Sequence, residues 1–445
     1  METIASWIWN PLLSLIYIEI GIIVLLITGF AAWRHIIPAL PALWKNRHQH
    51  SHTIEHERHI TPWQAFLTAL GAGIGVGNIA GVSTAIHLGG PGALFWMWVS
   101  ALVGMSFRMC SVWLTQQYQG KDPDNLLYAT PMAYLESTMK GLWAWIPAAL
   151  AGLLLVKGFL TANLIQSNSV AHALQDELGA STLAIAFLLA SGVAFVILGG
   201  MKKIVDASLV ITPWMVTAYL GAGIIVLLSD PFRTVSTLGM VFGHAFSPYS
   251  AASGVIGYGV FQTIQFGISR GIFDHGSGMG ISPFLHASNQ GNPRENAFLA
   301  ATVPVAETLV VSTITGLVVL SIGNWTQHNG AFLTTSSFES FYGDVGQILI
   351  MACLVVFAFT TMINWSYYAE RCFQYLGGNN LVKFRWMFIF VTFCGPFFPV
   401  KFVWATGDVM IALVIIFHLF PLLYLVIIHR KEIQEDLGII TQEAD

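Results

Sequence analysis

The stretch from Leu70 to Ile86 reads LGAGIGVGNIAGVSTAI and limits what this chain can become more than any other segment. It is apolar enough to lie in a bilayer, yet Gly71, Gly73, Gly75, Gly77 and Gly81 fall within its first twelve positions. Glycine costs a helix interior about 1 kcal/mol relative to alanine. These five, with Asn78 among them, predict a membrane helix that breaks partway across. Broken backbone at that depth survives only where it lines a cavity or is buried in protein. Opened helix ends there offer N–H groups to a carboxylate and C=O groups to a cation. Such an interruption is the pattern expected of a membrane carrier.

The remaining composition agrees. Of 445 residues, 55% are hydrophobic and 9% charged, against about 25% charged in soluble domains. The chain therefore reads as a polytopic membrane protein, one membrane domain over 1–445. Its net charge of −4 says less than where the charges sit. Cys110, Cys353 and Cys394 fall in apolar spans and Cys372 follows one beside Arg371. They read as small packing residues in a reduced setting rather than disulfides or metal ligands. The first apolar run, Pro11 to Trp33, is long enough to span, and no basic region or small-residue cleavage site marks it for removal.

At about 20 residues per crossing, eleven spans are expected: 11–33, 63–86, 92–116, 144–172, 182–199, 207–229, 251–272, 297–321, 346–370, 384–398 and 403–428. One set of loops then carries fifteen basic residues, Arg34, Lys45, Arg47, Arg58, Lys121, Lys140, Lys202, Lys203, Arg270, Arg294, Arg371, Lys383, Arg385, Arg430 and Lys431. The other set carries two, Arg233 and Lys401. Basic loops stay cytoplasmic, so the N-terminus is expected outside and the tail, 429–445, in the cytoplasm of a cell (inner, plasma) membrane. After the first span the other ten divide five and five, 63–229 and 251–428, and the first of each five is glycine-interrupted. The second, GVIGYGVFQTIQFGISRG, is expected to unwind at Gly267. Matched broken helices point to a midplane site in an inverted-repeat carrier. The competing explanation is glycine used for close helix packing.

Several segments resemble the alanine/glycine:cation symporters, the sodium:alanine symporter family. GVGNIAGVSTAIHLGGPGALFWMW (75–98) is similar to its first core helix and the start of its second. LIQSNS (164–169) is similar to its third-helix GN-x-x-Q-x-N-S pattern, with Ala162 where glycine is usual. ILGGMKKI (197–204), RGIF (270–273) followed by GMGISP (278–283), and FTTMINWSYYAER (359–371) resemble further family segments. The resemblance runs from about residue 60 to 430 and implies an all-α, leucine-transporter-type 5+5 inverted repeat with one extra N-terminal helix, eleven transmembrane helices in all. The chain departs from it at Phe273-Asp274-His275-Gly276-Ser277-Gly278, where F-S-N-E-A-G is usual, and at Glu307-Thr308, where Asp-Thr is usual.

Gly75, Val76 and Gly77 would present N–H groups to a substrate carboxylate, with Asn78 orienting the loop or ligating a cation. By the resemblance, a sodium site is implied at the carbonyls of Gly71, Ile74 and Phe357 and the hydroxyls of Thr360 and Thr361. The threonine pair has a plain alternative in bonding to carbonyls of its own helix. Gln166 is expected to face the cavity. Trp365 would close the pocket over a small side chain, unless it belongs to an interfacial aromatic belt with Tyr367 and Tyr368. Gln262, Gln265 and Phe266 flank Gly267 and are candidates for the amino-group side.

Arg108, Lys157 and Glu307 lie within spans, and intramembrane charge marks a functional site or a buried pair. Arg108 and Glu307 sit near span ends, where snorkelling is the alternative. Lys157 is deeper and either takes the place of a sodium ion, with proton movement replacing sodium movement, or pairs with Glu307. The run containing His48, His50, His52, His56 and His59 reads as an interfacial segment whose charge follows cytoplasmic pH rather than as a metal site. HExxH and P-loop motifs are missing, so no enzyme is expected, nor an organic cofactor, nor a nucleic-acid partner. The expectation is a sodium-coupled importer of a small neutral amino acid embedded in lipid. A proton-coupled symporter and a non-transporting amino-acid sensor are the alternatives.

Overall fold

The computed structural model describes residues 7–45, 60–118, 129–247, 259–289, 292–322 and 324–438. Helices dominate, and among the described residues the β pairing is a single isolated bridge between Ile60 and Asn289. In chain order the main helices are α1 (Pro11–Ile27), α2 (Pro62–Gly73), α3 (Gly77–Gly89), α4 (Ala93–Tyr118), α5 (Gly141–Leu178), α6 (Thr182–Ile197), α7 (Gly200–Ser229) and α8 (Pro231–Gly243). They continue as α9 (Val260–His275), α10 (Pro283–His286), α11 (Pro293–Ile322), α12 (Gly330–Tyr342), α13 (Asp344–Tyr375), α14 (Leu381–Cys394), α15 (Val400–Ile428) and α16 (Arg430–Asp436). Among the described residues, six are long and apolar enough to cross a membrane as single rods, and α2 with α3 makes a seventh, bent by 52°.

The first break falls where expected. Thr61 starts α2 with a reciprocal cap to Gln64, and Pro62 occupies the first turn. The helix ends at Gly73, and Ile74 swings to extended backbone (φ −70°, ψ 100°). α3 restarts at Gly77 with a wide i→i+5 turn over Gly77–Gly81.

The second break is not at Gly267. That residue lies inside continuous α9. A methyl group there would stand 2.5 Å from both the Ala93 carbonyl oxygen and Trp96 Cβ, so Gly267 lets α9 lie close on α4. The chain instead unwinds after His275. Gly276, Gly278 and Gly280 take φ of 61°, 86° and 76°, conformations glycine adopts at little steric cost. α11 also widens to i→i+5 bonding over Val305–Ser312, directly after Pro304.

One group of helices comprises α2/α3, α4, α9/α10 and α11, and a second comprises α5, α6, α13 and α14; α7 and α15 lie at their margins. α1 packs on α4, α9 and α15. Its Tyr17 hydroxyl is shared between the carbonyls of Ser100 (3.4 Å) and Ser277 (3.3 Å), inside the second break. At the far end of the chain α16 folds back. Ile433 and Leu437 are buried, Gln434 donates to the Ile27 carbonyl (2.6 Å), and Arg294 donates to the Leu437 carbonyl (2.6 Å). Cys110, Cys353 and Cys372 are buried free thiols. The histidine run 48–59 lies outside the described residues, and among the described residues no cluster of metal-ligating side chains occurs.

Candidate functional site

Both breaks open onto one small cavity of about 30 Å³. Its wall includes Gly73, Gly75, Gly77, Gln166, Thr361 and Trp365, with Lys157, Phe273, Asp274 and His275. The freed amides have partners: Gly75 N–H donates to Asn78 Oδ1 (2.9 Å) and Val76 N–H to Gln166 Oε1 (3.0 Å). Two side-chain oxygens thus stand against N–H groups that the helix no longer satisfies. Asn78 reaches back through Nδ2 to the Glu307 carbonyl and Ser312 Oγ, each at 3.2 Å. Trp365 is buried in the wall with its indole N–H on the Ala72 carbonyl (3.2 Å), so its place is the cavity and not an interfacial belt.

Beside the first break, oxygens of α2 and α13 converge. Thr361 Oγ1 donates to the Ile74 carbonyl across the two helices (3.3 Å). Thr360 Oγ1 bonds back to the Val356 (3.1 Å) and Phe357 (3.0 Å) carbonyls, the in-helix alternative raised by the sequence. Thr212 of α7 was not anticipated. Its hydroxyl is buried without a hydrogen-bond partner among the described residues, and a Cβ on Gly71 would lie 2.8 Å from it. Carbonyl and hydroxyl oxygens of this kind suit a hard cation.

Charge is buried here in a pattern the sequence did not disclose. Arg108 and Glu307 are 3% and 0% exposed and face each other at 3.7 Å, which rules out snorkelling. Arg108 also donates to the His275 carbonyl (2.5 Å). Glu307 therefore has Arg108 as its ion partner, while Lys157 Nζ sits 3.6 Å from the centroid of the Trp365 ring. In the second break, His275 Nδ1 accepts from the Ser277 N–H (3.0 Å). His418 Nδ1 contacts the Gly278 carbonyl (2.7 Å), so it is the protonated nitrogen and Nε2 accepts from Tyr134 OH (2.6 Å).

Gln265 and Phe266 line not this cavity but a larger vestibule of about 620 Å³, with Gln262 outside both linings. Phe273 in the cavity wall stacks on Trp404 in the vestibule wall (5.1 Å, 23°), so this pair partitions the two spaces. Above it Arg270 grips Asp408 in a bidentate pair (2.6 and 2.8 Å). Arg270 is thus a side chain of α9 facing the vestibule, not a residue of a cytoplasmic loop. Phe273, Asp274 and His275, marked in the sequence only as a departure from the family pattern, join Thr212, Arg270 and Asp408, which sequence reasoning missed, as site residues. The G-x-G-x-G spacing from Gly276 to Gly280 was the available signal for the first part of that group.

Two interrupted helices around a small polar cavity, beneath a wide vestibule and between two helix groups, define a multi-pass membrane carrier of the leucine-transporter type. Solved structures share the fold: MhsT in complex with L-phenylalanine aligns with a TM-score of 0.61 at 14% identity, over 87% of this chain and 94% of that one. A manganese transporter from Eremococcus coleocola aligns at 0.56 and 14% identity, over 87% of each chain. Residues 1–437 match the model of the sodium:alanine symporter family, and the chain belongs to that family. The sodium/alanine symporter AgcS of Methanococcus maripaludis is 35% identical over 92% of this chain and 90% of its own length.

Proposed function

We propose that this protein imports a small neutral amino acid of the alanine/glycine class together with sodium, by alternating access. The single observation that carries the reading is the α2–α3 break. The Gly75 and Val76 N–H groups are held by Asn78 and Gln166 side-chain oxygens, as a carboxylate would hold them. A substrate carboxylate takes Gln166's place at Val76 and draws on Gly77 as well. Trp365 bounds the pocket and restricts side-chain size. Sodium, a co-substrate, is assigned to the carbonyls of Gly71, Ile74 and Phe357 with the hydroxyls of Thr360 and Thr361. The orphaned Thr212 hydroxyl supports that placement. Gln265 and Phe266 meet the substrate on its way in, through the vestibule, and Gln262 is left without a role.

On this reading the chain crosses the membrane eleven times, with 11–33 as the extra helix and 63–229 and 251–428 as the two five-helix repeats. The N-terminus then lies outside and 429–445 in the cytoplasm. Movement of the α2/α3–α4–α9–α11 group against the α5–α6–α13–α14 group would expose the cavity to either face in turn. Purified protein in liposomes is expected to accumulate labelled L-alanine under an inward sodium gradient. A specific observation supports the proton-coupled alternative: Lys157 is buried in the cavity wall and forms no ion pair among the described residues. Uptake indifferent to sodium and driven by a proton gradient would select that reading. Binding without uptake would select the sensor.

A further inference from the structure

Asp274 is 1% exposed, yet it belongs to the wall of the inner cavity. One of its oxygens is fully engaged: Oδ2 accepts from Thr308 Oγ1 (2.5 Å) and Ser312 Oγ (2.8 Å). The other, Oδ1, is buried with no hydrogen-bond partner among the described residues. Two hydroxyls from the widened turn of α11 therefore clamp the carboxylate and leave one oxygen unused. A buried acceptor in that condition costs about 1–3 kcal/mol, more when charged, and an arriving cationic donor removes the cost. Glu307, the neighbouring acid, has Arg108 for a counter-charge and lies outside the cavity wall.

The position of Asp274 matches one end of a zwitterion. A Cβ on Gly77 would lie 3.5 Å from Asp274 Cα, so the acid adjoins the break whose amides suit a carboxylate. The two ends are also mechanically linked. Ser312 donates to Asp274 and accepts from Asn78, and Asn78 holds the Gly75 N–H. Resting on the transport reading above, we propose that Asp274 Oδ1 receives the ammonium group of the substrate. Thr308 and Ser312 act as positioning residues. The site then selects amino acids with a free α-ammonium and rejects the corresponding carboxylic acids.

The test compares L-alanine with propionate, the same molecule without its amino group, as inhibitors of labelled L-alanine uptake into proteoliposomes. Losing one charged hydrogen bond is expected to weaken L-alanine at Asp274→Asn by about 10- to 100-fold. Weak inhibition by propionate and the half-saturating sodium concentration should each change by less than about threefold. Ser312→Ala, which frees one side of the clamp, should give a smaller loss confined to L-alanine. Equal weakening of both ligands would overturn the assignment as merely structural. A shift in the sodium requirement, with L-alanine affinity intact at saturating sodium, would overturn it in favour of a metal ligand. If Asp274→Asn does not elute as a folded monodisperse species, Asp274→Ser and Ser312→Ala carry the comparison. Absence of L-alanine uptake by the unaltered protein refutes the transport reading separately. In that case thermal stabilisation by L-alanine but not propionate, lost in Asp274→Asn, still supports the assignment, and equal stabilisation by both overturns it.

Discussion

Gly73 has no room for a methyl group, because the place a Cβ would take is filled by the Glu307 carboxylate. Adding one pushes a buried acid away from Arg108 at the end of α2. Gly73→Ala is therefore expected to destabilise the protein by about 1–3 kcal/mol and to abolish uptake, which a thermal melt beside a transport assay would register. Thr361 makes a contrasting case. Its hydroxyl spans from α13 to the Ile74 carbonyl, so Thr361→Val removes a polar contact at the proposed sodium ligands without changing volume much. The half-saturating sodium concentration is expected to rise by about tenfold or more, with maximal uptake at high sodium largely kept. Unchanged sodium dependence would remove Thr361 from the ligand set. At this scale the sequence was informative about residue type and poor about partners. Pairing with Glu307 was one of two readings for Lys157, yet this side chain rests on Trp365, while Glu307 faces Arg108. The partners of buried charges come from other helices, and no local pattern records which helix arrives.

Among the elements, the two breaks differ in how openly they were written. Five glycines and an asparagine in an apolar run leave the first helix little choice, and it divides between Gly73 and Gly77. For the second, glycine frequency misled. Gly267 and Gly271 are glycines of contact, each facing α4 at less than ordinary Cβ distance. Gly276, Gly278 and Gly280 are glycines of conformation, with positive φ. Composition cannot separate the two uses, because both demand the missing side chain for different reasons. The distinction can be measured. At Gly278, where φ is 86° and Tyr17 Cε2 would lie 3.1 Å from a new Cβ, alanine should cost about 1–2 kcal/mol from the left-handed backbone alone. A lowered unfolding midpoint in Gly278→Ala, absent from an alanine at the open Gly221, would establish it.

For the whole molecule, the fold was legible because hydropathy marks where helices lie in lipid, and expected spans coincide largely with helices. The assembly of those helices was not legible. The Arg270–Asp408 pair joins α9 to α15 above the Phe273–Trp404 partition, a closure assembled from distant parts of the chain. Asp408→Asn is expected to lower the rate of uptake by about tenfold while L-alanine binding in detergent changes by less than about threefold. Loss of binding to the same extent would make the pair part of the site rather than of its closure. Orientation is testable with thiol reagents that do not cross membranes. A cysteine at Arg233 should react in intact cells and one at Glu435 only after permeabilisation, the reverse result inverting the topology. The folded-back α16 has a practical side. Leu437 is wedged inside with its carbonyl on Arg294, and Gly438 abuts the same guanidinium. A reporter or purification handle fused at or before Gly438 would prise this clasp from the floor of the protein, so any such graft belongs beyond it on a generous spacer.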